Sequence, residues 1–128
     1  MNRVVLDASA VLAILNQEPG AERLTPKLLS AAVTSTVNLA EVHAKLIGRG
    51  LDPDEAWEAA LSPIREAVAF TSDHARLTGD LAAQTRALGL SLGDRACLAL
   101  GLALKAPVYT ADKSWKKLKV SLRIHIIR

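Results

Sequence analysis

Short runs of β-branched and apolar residues alternate with longer stretches of helical period along this chain. Val4-Val5-Leu6 opens it and runs into Asp7, which reads as a first buried strand within Arg3–Asp7. Ala10–Leu15 follows as a helix, stopped near Asn16–Gly20 by the Pro19-Gly20 pair. Ala21–Ser30 has helical character, with Pro26 demanding a break or a late start. Val33–Val37 is β-branched and predicts a second strand. From Asn38 to Arg49 the period is helical, with Gly50 as the closing residue. Asp52-Pro53 supplies an N-cap and a proline at the first helical position, so a helix runs to about Leu61, and Pro63 ends it or begins a further turn.

The same alternation continues. Ala67–Thr71 predicts a third strand, and Ser72 or Asp73 caps a helix lasting to Leu88 and closed by Gly89. Ser91 caps a helix over Leu92–Leu104, Pro107–Thr110 is a fourth strand, and Ile124–Ile127 a fifth. Strands alternating with helices predict a three-layer α/β/α fold, a central parallel sheet of four to five strands with helices on both faces. No repeat, linker or low-complexity stretch divides the chain.

Composition narrows the class. The chain has 128 residues, and half of them are hydrophobic, so it is long enough for one core and too rich in Leu, Ala, Val and Ile for disorder. Its one Cys, Cys97, excludes an internal disulfide and fits a reducing compartment. The longest apolar run, Ala96–Leu104, falls far short of the ~20 residues a membrane helix needs. Asp7 interrupts the early apolar stretch, which argues against a signal peptide, and a soluble cytoplasmic protein with no membrane association is expected.

The formal charge of +3 is unevenly spread. Residues 51–80 are acidic, whereas residues 113–128 carry Lys113, Lys116, Lys117, Lys119, Arg123 and Arg128 and no acid. Such a segment suits a polyanionic partner, or simply keeps a solvated end soluble.

The acids are better placed than the bases. In an open parallel sheet, ligands bind at the carboxyl ends of the strands, near the point where strand order reverses. Asp7 ends strand one, and Asp112 lies just beyond strand four in Thr110-Ala-Asp112. Asp94 opens the helix that feeds strand four, and Glu41 sits on an apolar stripe one turn after strand two. Each has an ordinary structural use. Asp94 can partner Ser91 in a capping box, Asp7 and Asp112 can cap turns, and Glu41 can pair with Lys45. If the four converge, two charges ~5 Å apart repel by roughly 3 kcal/mol at an effective dielectric near 20, so the cluster needs protons or cations. Oxygen-only donors favour Mg²⁺ or Mn²⁺. Zinc would want His and Cys, and His43, His74 and His125 show no such spacing with one another or with Cys97. His43 and His74 read as helix-surface residues.

Val4-Val-Leu-Asp7-Ala-Ser9-Ala, Asn38-Leu-Ala-Glu41-Val, Leu92-Gly-Asp94-Arg95-Ala-Cys97-Leu-Ala-Leu and Tyr109-Thr-Ala-Asp112-Lys-Ser-Trp115 together resemble the PIN-domain family. More narrowly, they resemble the VapC-type toxins of bacterial toxin–antitoxin pairs. The resemblance spans nearly the whole chain, 1–128, as a single PIN-like domain. It implies a Mg²⁺- or Mn²⁺-dependent endoribonuclease inhibited by a cognate VapB-type antitoxin, and a homodimer. By the same resemblance Asp7, Glu41, Asp94 and Asp112 map onto the family's acidic quartet, and Ser9 and Thr110 onto small hydroxyl residues near the metal.

For phosphodiester hydrolysis the quartet would supply an activated water, charge neutralisation and in-line geometry through one or two ions. Asp7, Asp94 and Asp112 are the expected ligands, and Glu41 holds a second ion or orients the attacking water. Ser9 bonds Asp7 or a metal-bound water, a role compatible with capping the first helix. Arg95 touches a phosphate or pairs with an acid. The basic end segment would hold RNA backbone. Trp57, Phe70, Tyr109 and Trp115 are too few aromatics for a stacking platform, and Trp115 reads as core packing. The expected substrate is therefore folded RNA or a loop. Ala10–Leu15 and Val37–Ile47 either line an antitoxin groove or are core.

Other functions lose on particular residues. A haloacid-type phosphatase needs a second Asp where Ser9 stands, a receiver domain needs an early acidic pair, and no glycine-rich phosphate loop is present. A non-catalytic RNA- or partner-binding module on the same fold is the rival reading.

Overall fold

A computed structural model describes residues 2–128. Five strands, β1 (Val4–Leu6), β2 (Ala32–Ser35), β3 (Glu66–Val68), β4 (Val108–Thr110) and β5 (Ile124–Ile126), form one sheet in the order β3-β2-β1-β4-β5, and every pairing is parallel. The chain starts in the middle strand, winds outward through β2 and β3, then returns to the other side of β1. Strand order therefore reverses between β1 and β4.

Strand alternation separates two cores. Leu6 and Ala32 face one cluster with Val11 and Leu12 of α1 (Ala8–Leu15), Leu39, Val42 and Leu46 of α3 (Thr36–Gly48), and Ala56 and Ala60 of α4 (Pro53–Leu61). Val5, Val33 and Val108 face the other, with Cys97–Leu100 of α7 (Leu92–Leu104), Leu81 and Trp115. This is the α/β/α sandwich expected from the pattern, with five strands. Trp115 is buried in the core, as its sequence context suggested. The apolar residues of α1 and α3 are largely core residues too.

Capping explains where the boundaries differ from the pattern. Strand two ends at Ser35, not Val37, because the Ser35 hydroxyl accepts from the Val37 amide and starts α3 early. A local cap here outweighs the β propensity of Thr36 and Val37. The first helix starts at Ala8, two residues early, and its N-cap is Asp7 rather than Ser9. The third strand is shorter than Ala67–Thr71, and Thr71, not Ser72 or Asp73, caps α5 (Ser72–Asp80) by accepting from the His74 amide.

The helix expected to reach Leu88 is broken. α6 (Ala82–Thr85) and a 3-10 turn over Arg86–Leu88 complete it. Thr78 and Thr85 donate to the carbonyls of His74 and Leu81, a back-bonding that competes with the helical ladder. Within Ala21–Ser30, a 3-10 turn over Ala21–Arg23 precedes α2 (Pro26–Leu29), which starts late at Pro26 under a Thr25 cap. The limits of α4 and α7 coincide with those read from the pattern. No helix among the described residues is long and apolar enough to cross a membrane.

Candidate functional site

β1 delivers Asp7 to the carboxyl edge of the sheet already committed to two tasks. Its Oδ1 accepts from the Ala10 amide at 3.0 Å as the N-cap of α1, and from the Ser9 hydroxyl at 2.7 Å. Its Oδ2 accepts from the Thr110 hydroxyl at 2.8 Å. The same hydroxyls tie β4 to this point. Ser9 Oγ accepts from the Ala111 amide, and Thr110 Oγ1 from the Asp112 amide. The ends of β1 and β4, a hundred residues apart in sequence, are thus laced together at the switch point.

Asp7 is 3% exposed, and its pKa is raised from 3.8 to about 6. Burial is the main cause, the three hydrogen bonds oppose it, and the nearby Asp94 carboxylate adds to it. Beneath the site, the buried Cys97 thiol is pushed well up, first by burial and then by the charges of Asp7, Asp94 and Glu41. That thiol is structural and inert.

The other three acids come from separate elements. Asp94 forms the expected capping box with Ser91, its Oδ2 accepting from the Ser91 amide at 3.0 Å while Ser91 Oγ accepts from the Asp94 amide. Asp112 accepts from the amide and hydroxyl of Ser114 and caps the 3-10 turn Lys113–Lys117. Glu41 accepts from Asn38 Nδ2 at 2.9 Å and forms no ion pair with Lys45 among the described residues. All four nevertheless line one pocket of about 290 Å³, together with Ser9. Helix capping and a shared pocket are compatible because a helix N-terminus both needs an acceptor and tolerates an anion.

Two residues of this arrangement have no obvious signal in the sequence. Asn38, 1% exposed, donates from Nδ2 to both Glu41 and the Gly93 carbonyl, bridging α3 to the start of α7; its Oδ1 is buried with no partner. Gly93 leaves the space Glu41 occupies, since a Cβ there would run into the Glu41 carboxylate. An Asn three residues before a Glu on a helix, and a Gly just before an Asp, are the only traces of them along the chain.

Arg95 forms no ion pair with an acid among the described residues. Its Nη1 donates to the Thr78 carbonyl at 3.0 Å, on α5, and it does not line the pocket. His43 and His74 lie away from the acids, against Trp57 and Phe70. The wall of the pocket beyond the acids holds Glu18, Lys45, Arg49 and Arg128. Arg128 pairs with Glu18 and donates to the Pro19 carbonyl, and the Gly20 backbone turns against Ile127 with φ of 95°.

Among the described residues no three of Asp, Glu, His and Cys close into a ligand group by themselves. The donor set is still that of a hard cation: all oxygens, with one carboxyl buried next to another of like charge.

A doubly wound parallel sheet with carboxylates gathered at its switch point defines a PIN-like α/β domain. The PIN-domain family profile matches residues 4–120, and the chain belongs to that family. No curated protein matches it. Among solved structures it is similar to the DNA-bound VapBC of Salmonella typhimurium, with a TM-score of 0.76, 17% identity and 100% of both chains covered. VapBC2 of Rickettsia felis, bound to a promoter fragment, gives 0.73 at 17% identity over 98% of each chain. Mycobacterium tuberculosis VapC20, a sarcin-ricin loop cleaving toxin, gives 0.69 at 19% identity over 91% of this chain and 96% of that one.

Proposed function

We propose that this chain is a VapC-type toxin, a metal-dependent endoribonuclease held in check by a VapB-type antitoxin. The observation that carries the reading is that Asp7, Glu41, Asp94 and Asp112, from four separate places in the sequence, line one pocket at the switch point. Its solved neighbours include VapBC complexes and a sarcin-ricin loop cleaving toxin, which supports the same conclusion.

Asp7, Asp94 and Asp112 would hold Mg²⁺ or Mn²⁺. A divalent ion held there would supply charge neutralisation at the phosphate and a more nucleophilic water. Ser9 and Thr110 fix both oxygens of Asp7, so the carboxylate enters the reaction already oriented. Glu41, steadied by Asn38, would accept the proton of the attacking water as the new O–P bond forms, while the P–O bond to the leaving nucleoside breaks and its oxygen takes a proton from solvent. A homodimer in the cytoplasm accompanies this reading.

One observation favours a binding module instead: the acids do not close into a ready ligand group. Purified, antitoxin-free protein incubated with structured RNAs separates the two. We expect cleavage with Mg²⁺ or Mn²⁺, none with EDTA, and none from Asp7→Asn. Absent cleavage by the wild type would leave only binding, cleavage that persists in EDTA would remove the cation from the reading, and Asp7→Asn cutting at the normal rate would refute the roles assigned.

A further inference from the structure

The pocket carries cations as well as acids, and two of them sit in register with Glu41. Glu41, Lys45 and Arg49 recur every four residues along α3 and its C-cap, so they share one side of the helix, and all three line the pocket. Each step is ~6 Å along the helix axis, comparable to the separation of successive phosphates in an RNA strand.

Lys45 and Arg49 are exposed, and neither forms an ion pair among the described residues. Arg49 helps to lower the pKa of Glu18, but the main partner of that carboxylate is Arg128. Arg128 is accordingly committed to Glu18 and the Pro19 carbonyl. Of the six cations in residues 113–128, it alone lines the acidic pocket. The basic end segment is therefore the poorer candidate for holding substrate at the acids, despite its charge.

We propose that Lys45 and Arg49 form a phosphate track, along which a single-stranded stretch of RNA leaves the acidic pocket toward the C-terminal end of α3, with one phosphate on each cation. The track rests on the ribonuclease reading and adds to it the path of the substrate. Glu41 stands at the head of the track, over the reacting phosphate, where a third cation would instead hold the strand back. Lys45 and Arg49 are positioning residues. They bind flanking phosphates and leave the chemistry to the acids.

Cations near a helix C-terminus also stabilise the helix, so a melting curve does not distinguish the roles. Salt dependence does. A fluorescein-labelled RNA stem–loop is titrated with protein in EDTA over a series of salt concentrations, and cleavage is followed separately with Mg²⁺. For the Lys45→Gln/Arg49→Gln double variant we expect the log–log salt slope to fall by about 1.4, at about 0.7 for each single-strand phosphate no longer neutralised. KM should rise about tenfold while kcat stays within about twofold of wild type. Arg49→Lys should keep most of the affinity. A control pair at exposed cations elsewhere, Lys27→Gln/Lys105→Gln, should change none of these.

The track is overturned if the double variant keeps the wild-type slope and KM, or if the control pair loses as much. Wild-type protein that cuts RNA alongside an unaffected double variant removes the track and leaves the nuclease. Protein that never cuts, but loses slope on the double substitution, removes the nuclease and leaves the track.

Discussion

Asp7 shows how one side chain serves fold and site at a cost to the fold. It caps α1, anchors β4 through Thr110, and is buried beside Asp94. A carboxyl raised from 3.8 to about 6 disfavours the ionised folded state by about 3 kcal/mol. Below pH ~4 the carboxyl is protonated in both folded and unfolded chains, and nothing is lost. Between there and about 6 the unfolded chain ionises first, so stability falls as pH rises, and above 6 the penalty is complete. Asp7→Asn removes the charge but gives up one hydrogen-bond acceptor, worth about 1 kcal/mol. In EDTA, the variant should therefore be more stable than wild type by about 2 kcal/mol at pH 7.5. That advantage should vanish near pH 3.5. Chemical denaturation at both pH values tests this, and equal stability at pH 7.5 would mean that burial does not set the Asp7 pKa.

At the scale of elements, the site depends on how closely α3 approaches the first turn of α7. Asn38 bridges the two helices, and Gly93 leaves room for the Glu41 carboxylate. The atoms a new Cβ would strike belong to the end of a flexible side chain, which can swing aside. Removing a helical glycine is itself favourable by about 0.5–1 kcal/mol. Gly93→Ala should therefore fold with stability within about 1 kcal/mol of wild type. It should cut RNA more slowly by about tenfold or more, because Glu41 no longer stands where Asn38 held it. Melting and single-turnover cleavage measured together check both halves. An unimpaired rate would show that the position of Glu41 is not critical.

For the whole molecule, the consequence of gathering acids at the switch point is a coupling between cation binding and folding. The unfolded chain scatters these carboxylates and holds no site, so a bound ion stabilises the native state by mass action. At about a hundredfold above its dissociation constant, Mg²⁺ or Mn²⁺ should add about 2.7 kcal/mol, raising the melting temperature on the order of 10 °C in a domain of this size. Asp7→Asn should lose most of that rise, and Lys45→Gln/Arg49→Gln should keep it. A wild-type melting temperature indifferent to both metals would remove the cation from the proposal.

Local signals determine much of the architecture without help from any tertiary partner. Asp52-Pro53 sets the start of α4 and Ser91 that of α7, because a cap and a fixed φ act within a few residues. The parallel class follows from strands that alternate with helices. The four acids are likewise readable from their places after strands and at helix starts. What the sequence leaves open depends on hydrogen bonds that compete with propensity and on partners far away along the chain. Ser35 overrules the β-branched Thr36-Val37, and Thr78 and Thr85 break the helix toward Leu88. The lacing of Asp7 to Thr110, the support of Glu41 by Asn38 and the space left at Gly93 exist only once the sheet has wound both ways from β1. Charge is the least legible feature, since the most basic segment contributes one residue to the acidic pocket while two cations of α3 and its C-cap line its wall. Composition counts charges along a string, whereas the pocket selects them by where the helix turns.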